Sequence, residues 1–141
     1  MQRGVGALCT LIALAGCSLT PAEAPPPAAA DTGARLFLEN CASCHGTYGE
    51  GNGPVAPALS VVMQDLRYLA ARNGGRFVPE LVREIIDGRD SPTVHGGRDM
   101  PVWGIAFRPD GDDTPEADRD AAAKIDALVE FLARIQVPGA G

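Results

Sequence analysis

The chain is short of lysine: Lys124 is the only one among 141 residues, in a protein of formal charge -6. An acidic surface so poor in lysine argues against nucleic acid as a partner and against attachment to anionic lipid by charge. Aromatic residues are also scarce, at 5%. A small domain with so few large side chains needs a staple of some kind to hold its core together. No segment alternates apolar and polar residues as a half-buried strand does, so sheet architectures are set aside. No catalytic triad, phosphate-binding loop or pair of acid and base carboxylates is visible, and an enzyme is not expected.

What is present begins at the N-terminus. Arg3 is followed by an apolar run over residues 5–15 and by Leu14-Ala15-Gly16-Cys17. A positive start, about a dozen apolar residues and a small-residue end form a secretory signal, too short to span a bilayer as a mature helix. Leu-Ala-Gly-Cys resembles the bacterial lipoprotein signal, in which the cysteine thiol is diacylated and becomes the new N-terminus. Residues 1–16 are then the signal peptide, Cys9 is discarded with it, and Cys17 is the lipidation site. Loss of Arg3 makes the remaining chain still more acidic. Residues 18–30 carry Pro21, Pro25, Pro26 and Pro27 without apolar periodicity, so residues 17–30 read as a lipidated cysteine with an extended Pro/Ala-rich tether. The expected location is the periplasmic side of a bacterial cell envelope, anchored to the inner or outer membrane.

Residues 31–137 read as one domain and residues 138–141 as a disordered tail. Asp31 or Thr32 can cap a first helix that runs to about Asn40 and buries Leu36 and Phe37. A short helix is expected over residues 65–72, ended by Asn73-Gly74-Gly75. Another starts at Pro79, carries Leu81, Val82, Ile85 and Ile86, and stops at Gly88. Residues 89–109 have no period. Thr114 then caps a long helix with Pro115 in its first turn and an apolar stripe of Ile125, Leu128, Val129, Leu132 and Ile135. The fold class is all-α, with long irregular connections.

With Cys9 and Cys17 accounted for, Cys41 and Cys44 remain, in Cys41-Ala42-Ser43-Cys44-His45. C-x-x-C-H is the attachment pattern of a c-type haem. Two cysteines three apart on one turn reach the two vinyl groups of the porphyrin as thioethers, and the adjacent histidine points at the iron. Attachment outside the cytoplasm agrees with the export signal. A structural zinc site wants four ligands, usually from two separated pairs, and a thioredoxin-like cysteine pair wants a βαβ setting. Neither context is present.

With these pieces in order, residues 31–137 resemble a class I cytochrome c domain in its lipoprotein-anchored bacterial form. The resemblance implies three to five helices wrapped around one covalent haem c, with His45 as one iron ligand. Gly33 and Phe37 resemble the positions that pack on the last helix, where Phe131 or Leu132 would answer. Pro57-Ala58-Leu59 resembles the segment whose proline carbonyl accepts the proton of the histidine's other ring nitrogen, with Pro54 as the alternative holder of that role. The family places a methionine ligand in a loop, often before proline, and Met100-Pro101 fits. Met63 reads as a core residue, His95 would give a bis-histidine site, and Met100 as a mere gap filler would leave the sixth position open. Trp103 and Arg98, and with them Arg67 and Tyr68, are candidates to donate to haem propionates.

The function so implied is electron transfer by a monomeric protein with His45 and Met100 on the iron. Its partners would be redox proteins of the periplasm or membrane, docking through a basic or apolar patch because this chain offers no lysine ring. A gas-binding haem protein with an open sixth site, or a dedicated haem subunit of a periplasmic redox enzyme, are the alternatives.

Overall fold

The computed structural model describes Met1, residues 27–90 and residues 100–138. The expectations for the signal peptide, Cys17 and most of the tether, for His95 and Arg98, and for the last residues of the tail lie outside the described residues.

Helix α1 spans Pro27–Asn40, so it starts ahead of Asp31 and Thr32, where a cap was expected. Proline is tolerated in a first turn because its missing N–H has no intrahelical partner there anyway. The alanines that follow are the strongest helix formers, and the last four residues of the expected tether are therefore helical. One residue further on, α2 is a single turn, Ala42–His45. A 3₁₀ turn at Ala56–Ala58 interrupts the glycine- and proline-rich segment after it. The helix expected over residues 65–72 is split into a 3₁₀ turn, Leu66–Tyr68, and α3, Leu69–Arg72. Asp65 caps the first of these by accepting from the Arg67 N–H at 3.0 Å.

Helix α4, Pro79–Asp87, ends on Gly88 in the left-handed region, as its sequence requires. Val82 and Ile86, one turn apart, are buried, whereas Leu81 is 48% exposed. A one-sided contact selects the i, i+4 pair and leaves Leu81 off the face. Helix α5, Trp103–Ala106, is a single turn in the stretch that lacked periodicity. Four residues are too few to show a helical period, which is why the sequence did not reveal it. Helix α6, Pro115–Arg134, is the long amphipathic element expected. The Thr114 hydroxyl accepts from the Ala117 N–H at 3.2 Å, Glu116 and Asp118 occupy the first turn and Arg134 the last, each where the helix dipole favours its sign. The architecture is thus all-α, with three longer helices and three single turns among the described residues, none of them long and apolar enough to cross a membrane.

The packing is organised by α1 against α6. The two backbones meet at Gly33, where an added Cβ would overlap the Ala127 carbonyl oxygen and lie 3.0 Å from Phe131 Cβ. One turn on, the Phe37 ring, 1% exposed, meets Phe131 with centroids 5.0 Å apart and a 40° tilt. Ile125, Leu128, Val129 and Leu132 of α6 complete a continuous core with Leu36, Phe37, Val82 and Ile86. Trp103 stacks on Phe107 at 4.7 Å. Lys124 is turned inward: its Nζ donates to the Phe107 carbonyl at 2.9 Å and lies 5.7 Å from the centre of that ring.

Beyond α6 the chain is still tied down. Gln136 Nε2 donates to the Leu66 and Leu132 carbonyls at 2.9 and 2.7 Å, its Oε1 accepts from the Ala70 N–H at 2.9 Å, and the Val137 N–H donates to the Arg67 carbonyl at 2.9 Å. A single amide side chain thereby joins α3 to the end of α6.

On an exposed helix, Gly→Ala stabilises by about 1 kcal/mol through propensity. At Gly33 the sign is reversed, because the methyl would press on α6 backbone that no rotamer change can move. Gly33→Ala is expected to destabilise the protein by roughly 1–3 kcal/mol, read as a lowered guanidinium midpoint. An unchanged or raised midpoint would show that the helices do not cross so closely.

Candidate cofactor site

The turn that carries the two cysteines is held from both sides. Cys41 N–H donates to the Phe37 carbonyl at 2.8 Å, so α2 starts as a continuation of the helix that packs on α6. The His45 N–H then donates to the Cys41 carbonyl at 2.9 Å, which closes the turn. The following loop folds back over it: the Gly51 N–H reaches the His45 carbonyl at 2.7 Å and the Val55 N–H reaches the Ser43 carbonyl at 2.9 Å. Small residues in residues 46–53 let that backbone come so near. Cys41, Cys44 and His45 are thereby placed together on the wall of one cavity.

That cavity spans about 690 Å³ of space, part of it open to solvent. Its floor is Phe37 of α1 with Leu128 and Leu132 of α6; Leu59, Val61 and Met63 come from the loop after the cysteines, and Ile86, Met100, Pro101 and Trp103 from the other side of the sequence. Most of this wall is hydrocarbon. Cys41 and Cys44 are free thiols, not joined to each other. Burial first, and the neighbouring Cys44 second, push the Cys41 thiol up to about 12. Such a wall disfavours a charged thiolate at Cys41. A thioether carries no charge at any pH and suits it. Two thiols and an imidazole on one turn, facing an apolar enclosure, are groups that would hold a covalently attached haem.

The remaining expected site residues divide. Trp103 lines the cavity and is buried, which suits a contact with the cofactor. Pro57 does not line it. It is exposed in the 3₁₀ turn, Leu59 faces the cavity instead, and neither the Pro57 nor the Pro54 carbonyl receives a hydrogen bond from His45 Nδ1. Arg67 is taken up elsewhere: its guanidinium forks onto Asp65 at 2.9 and 2.7 Å and so holds the Asp65 carboxyl below its usual range. Tyr68 is exposed and off the cavity wall. Met63, read from the sequence as core, lies on the cavity wall. Its carbonyl oxygen is 2.7 Å from where a Cβ on Gly51 would stand, so it belongs to the same folded-back loop as the His45 carbonyl's partner. Asn40 also reaches the wall, its side chain turned back by a 2.9 Å bond to the Leu36 carbonyl. Nothing in the sequence singles out that residue.

The sequence profile of the family described as Cytochrome c matches residues 30–136. No curated protein and no solved structure matches the chain. The chain belongs to the cytochrome c family. It accordingly carries one covalently bound haem c, at its single C-x-x-C-H, and serves haem-based electron transfer with redox partners.

Removing both thiols by Cys41→Ala and Cys44→Ala is expected to abolish covalent haem altogether, read as loss of haem staining on a denaturing gel. Either single substitution should retain haem through one thioether and shift the pyridine haemochrome band toward that of haem with one free vinyl. Full staining of the double variant would refute attachment at this turn.

Proposed function

We propose that this protein is a non-enzymatic single-electron carrier of the bacterial cell envelope, with His45 and Met100 as the two axial iron ligands. The observation that carries this reading is the meeting of His45 and Met100 on one apolar cavity wall, although they lie far apart in sequence. When bound, the haem supplies a one-electron iron couple. The residues of the chain do the rest. His45 is fixed by the turn that also holds Cys41 and Cys44. Met100 enters from the connection between α4 and α5, whereas Met63 shares a loop with the turn bearing His45, so Met100 is the sulfur assigned to the sixth position. A thioether ligand favours the reduced iron and raises the potential above that of a bis-histidine site. With both positions filled by protein, no site is left for substrate, which is the ground for calling the protein a carrier and not an enzyme.

The envelope location is supported by the signal-like residues 1–16, by Cys17 in Leu-Ala-Gly-Cys and by haem attachment itself. The single lysine is engaged with the Phe107 carbonyl, so partners are expected to dock through basic or apolar surface of their own.

In the oxidised wild-type protein a far-red sulfur-to-iron band is expected, and carbon monoxide should leave the reduced spectrum unchanged. Met100→Ala should remove the band, lower the reduction potential and open the reduced iron to carbon monoxide, while Met63→Ala should retain the band. Loss of the band in Met63→Ala alone would transfer the ligand to Met63. A wild-type protein without the band that binds carbon monoxide would instead be a gas-binding haem protein.

A further inference from the structure

The segment that bears Met100 leaves α4 at Gly88 and returns at α5, and its two ends lie side by side. A Cβ on Gly88 would stand 3.5 Å from Val102 Cα, ordinary van der Waals contact. Across this junction sits a charged fork. Arg89 Nε and one terminal nitrogen donate to the two carboxylate oxygens of Asp87 at 2.7 and 2.8 Å, and the Arg89 N–H donates to Asp87 as well, at 3.2 Å. The other terminal nitrogen of Arg89 reaches Asp118, in the first turn of α6, at 3.0 Å. Arg108, which follows α5, reaches the same Asp118 at 3.5 Å. On top of the fork lies the backbone of Gly104, so close that a Cβ there would be 2.8 Å from Asp87 Cγ. Only a residue without a side chain brings α5 down onto this pair. The next residue back is Trp103, on the cavity wall, and three residues before that is Met100.

We propose that Asp87 and Arg89 are positioning residues for Met100: their fork clamps the base of the ligand-bearing loop by holding the end of α4, the first turn of α6 and the backbone of α5 in one fixed arrangement. The proposal rests on the assignment of Met100 to the iron made above. Its physical content is a population. An axial sulfur on a loop of fixed base stays within bonding reach, and one on a loose base spends more time away from it. The bidentate geometry makes the fork stronger and more directional than an ordinary surface ion pair. Arg89 holds the Asp87 carboxyl below its usual range, and Asp87 in turn raises the guanidinium, as a pair that acts as one unit would do. Neither Asp87 nor Arg89 lines the cavity, so the clamp acts through the segment that carries Met100 and Trp103.

Imidazole competition with the oxidised holoprotein measures that population. An external ligand can bind only when the sulfur is away, so its apparent affinity scales with the fraction of open iron. Asp87→Asn keeps the size of the side chain and removes half of the fork. It is expected to raise imidazole affinity about fivefold, followed by loss of the far-red band. The control is Arg83→Gln, which removes the Arg83–Asp126 pair joining α4 to α6 away from the loop base. It should lower the unfolding midpoint to a similar degree and leave imidazole affinity within error of wild type. Gly104→Ala, which presses on the fork from the other side, should act like Asp87→Asn. Equal affinities for wild type and Asp87→Asn, or equal increases in Asp87→Asn and Arg83→Gln, overturn the clamp while the methionine ligand stands. A wild-type protein lacking the far-red band overturns the ligand assignment and the clamp together.

Discussion

The close crossing of α1 and α6 is the constraint on which the other elements depend. Because Gly33 has no side chain, the two backbones approach until Phe37 and Phe131 touch. That contact fixes where α1 ends, and α1 ends at the turn bearing Cys41, Cys44 and His45. It also sets Leu128 and Leu132 beneath the same turn, as the floor of the cavity. The attachment turn and the surface on which the cofactor lies are therefore positioned by one helix pair. The smaller elements, α2, α3 and α5, are too short to hold their own shape and take it from this pair and from α4.

Much of this was legible in the chain before any coordinates. The stripe of Ile125, Leu128, Val129 and Leu132 declares a helical face, Thr114 and Gly88 mark helix ends by hydrogen-bond chemistry that is local, and C-x-x-C-H marks a haem-binding chain. What was hidden shares a different property. The α5 turn has no period to detect, because four residues make only one turn. The extension of α1 into 27–30 was masked by prolines whose breaking effect does not apply in a first turn. Leu81 looked like core because a sequence pattern gives the apolar side of a helix but not which part of that side a neighbour covers. Pro57 was assigned by likeness of a tripeptide, and in the 3₁₀ turn it is exposed while Leu59 lines the cavity. Gln136 and the reach of Arg89 to Asp118 are invisible in sequence for the same reason: their partners are brought close only by the fold.

The polar content of the site is small, and that is part of its chemistry. A wall made mostly of hydrocarbon raises the Cys41 thiol to about 12 by refusing a charge, and a neutral thioether suits the same wall. Among the described residues charged side chains stay off the cavity wall, in local forks such as Arg67 with Asp65 and Arg89 with Asp87 and in the longer-range pair of Arg89 with Asp118.

The tie made by Gln136 has a consequence for how the chain comes to be. The cysteine turn is synthesised long before the residues that cover it, and α1 has no partner until α6 and Gln136 have followed. Without α6 the turn that bears both thiols lacks the floor that Leu128 and Leu132 provide. Packing of the last helix on the first completes the cavity wall that Cys41 lines. The order of residues along the polypeptide thus separates the attachment turn from its cover: the cysteines come first and the cavity floor comes last.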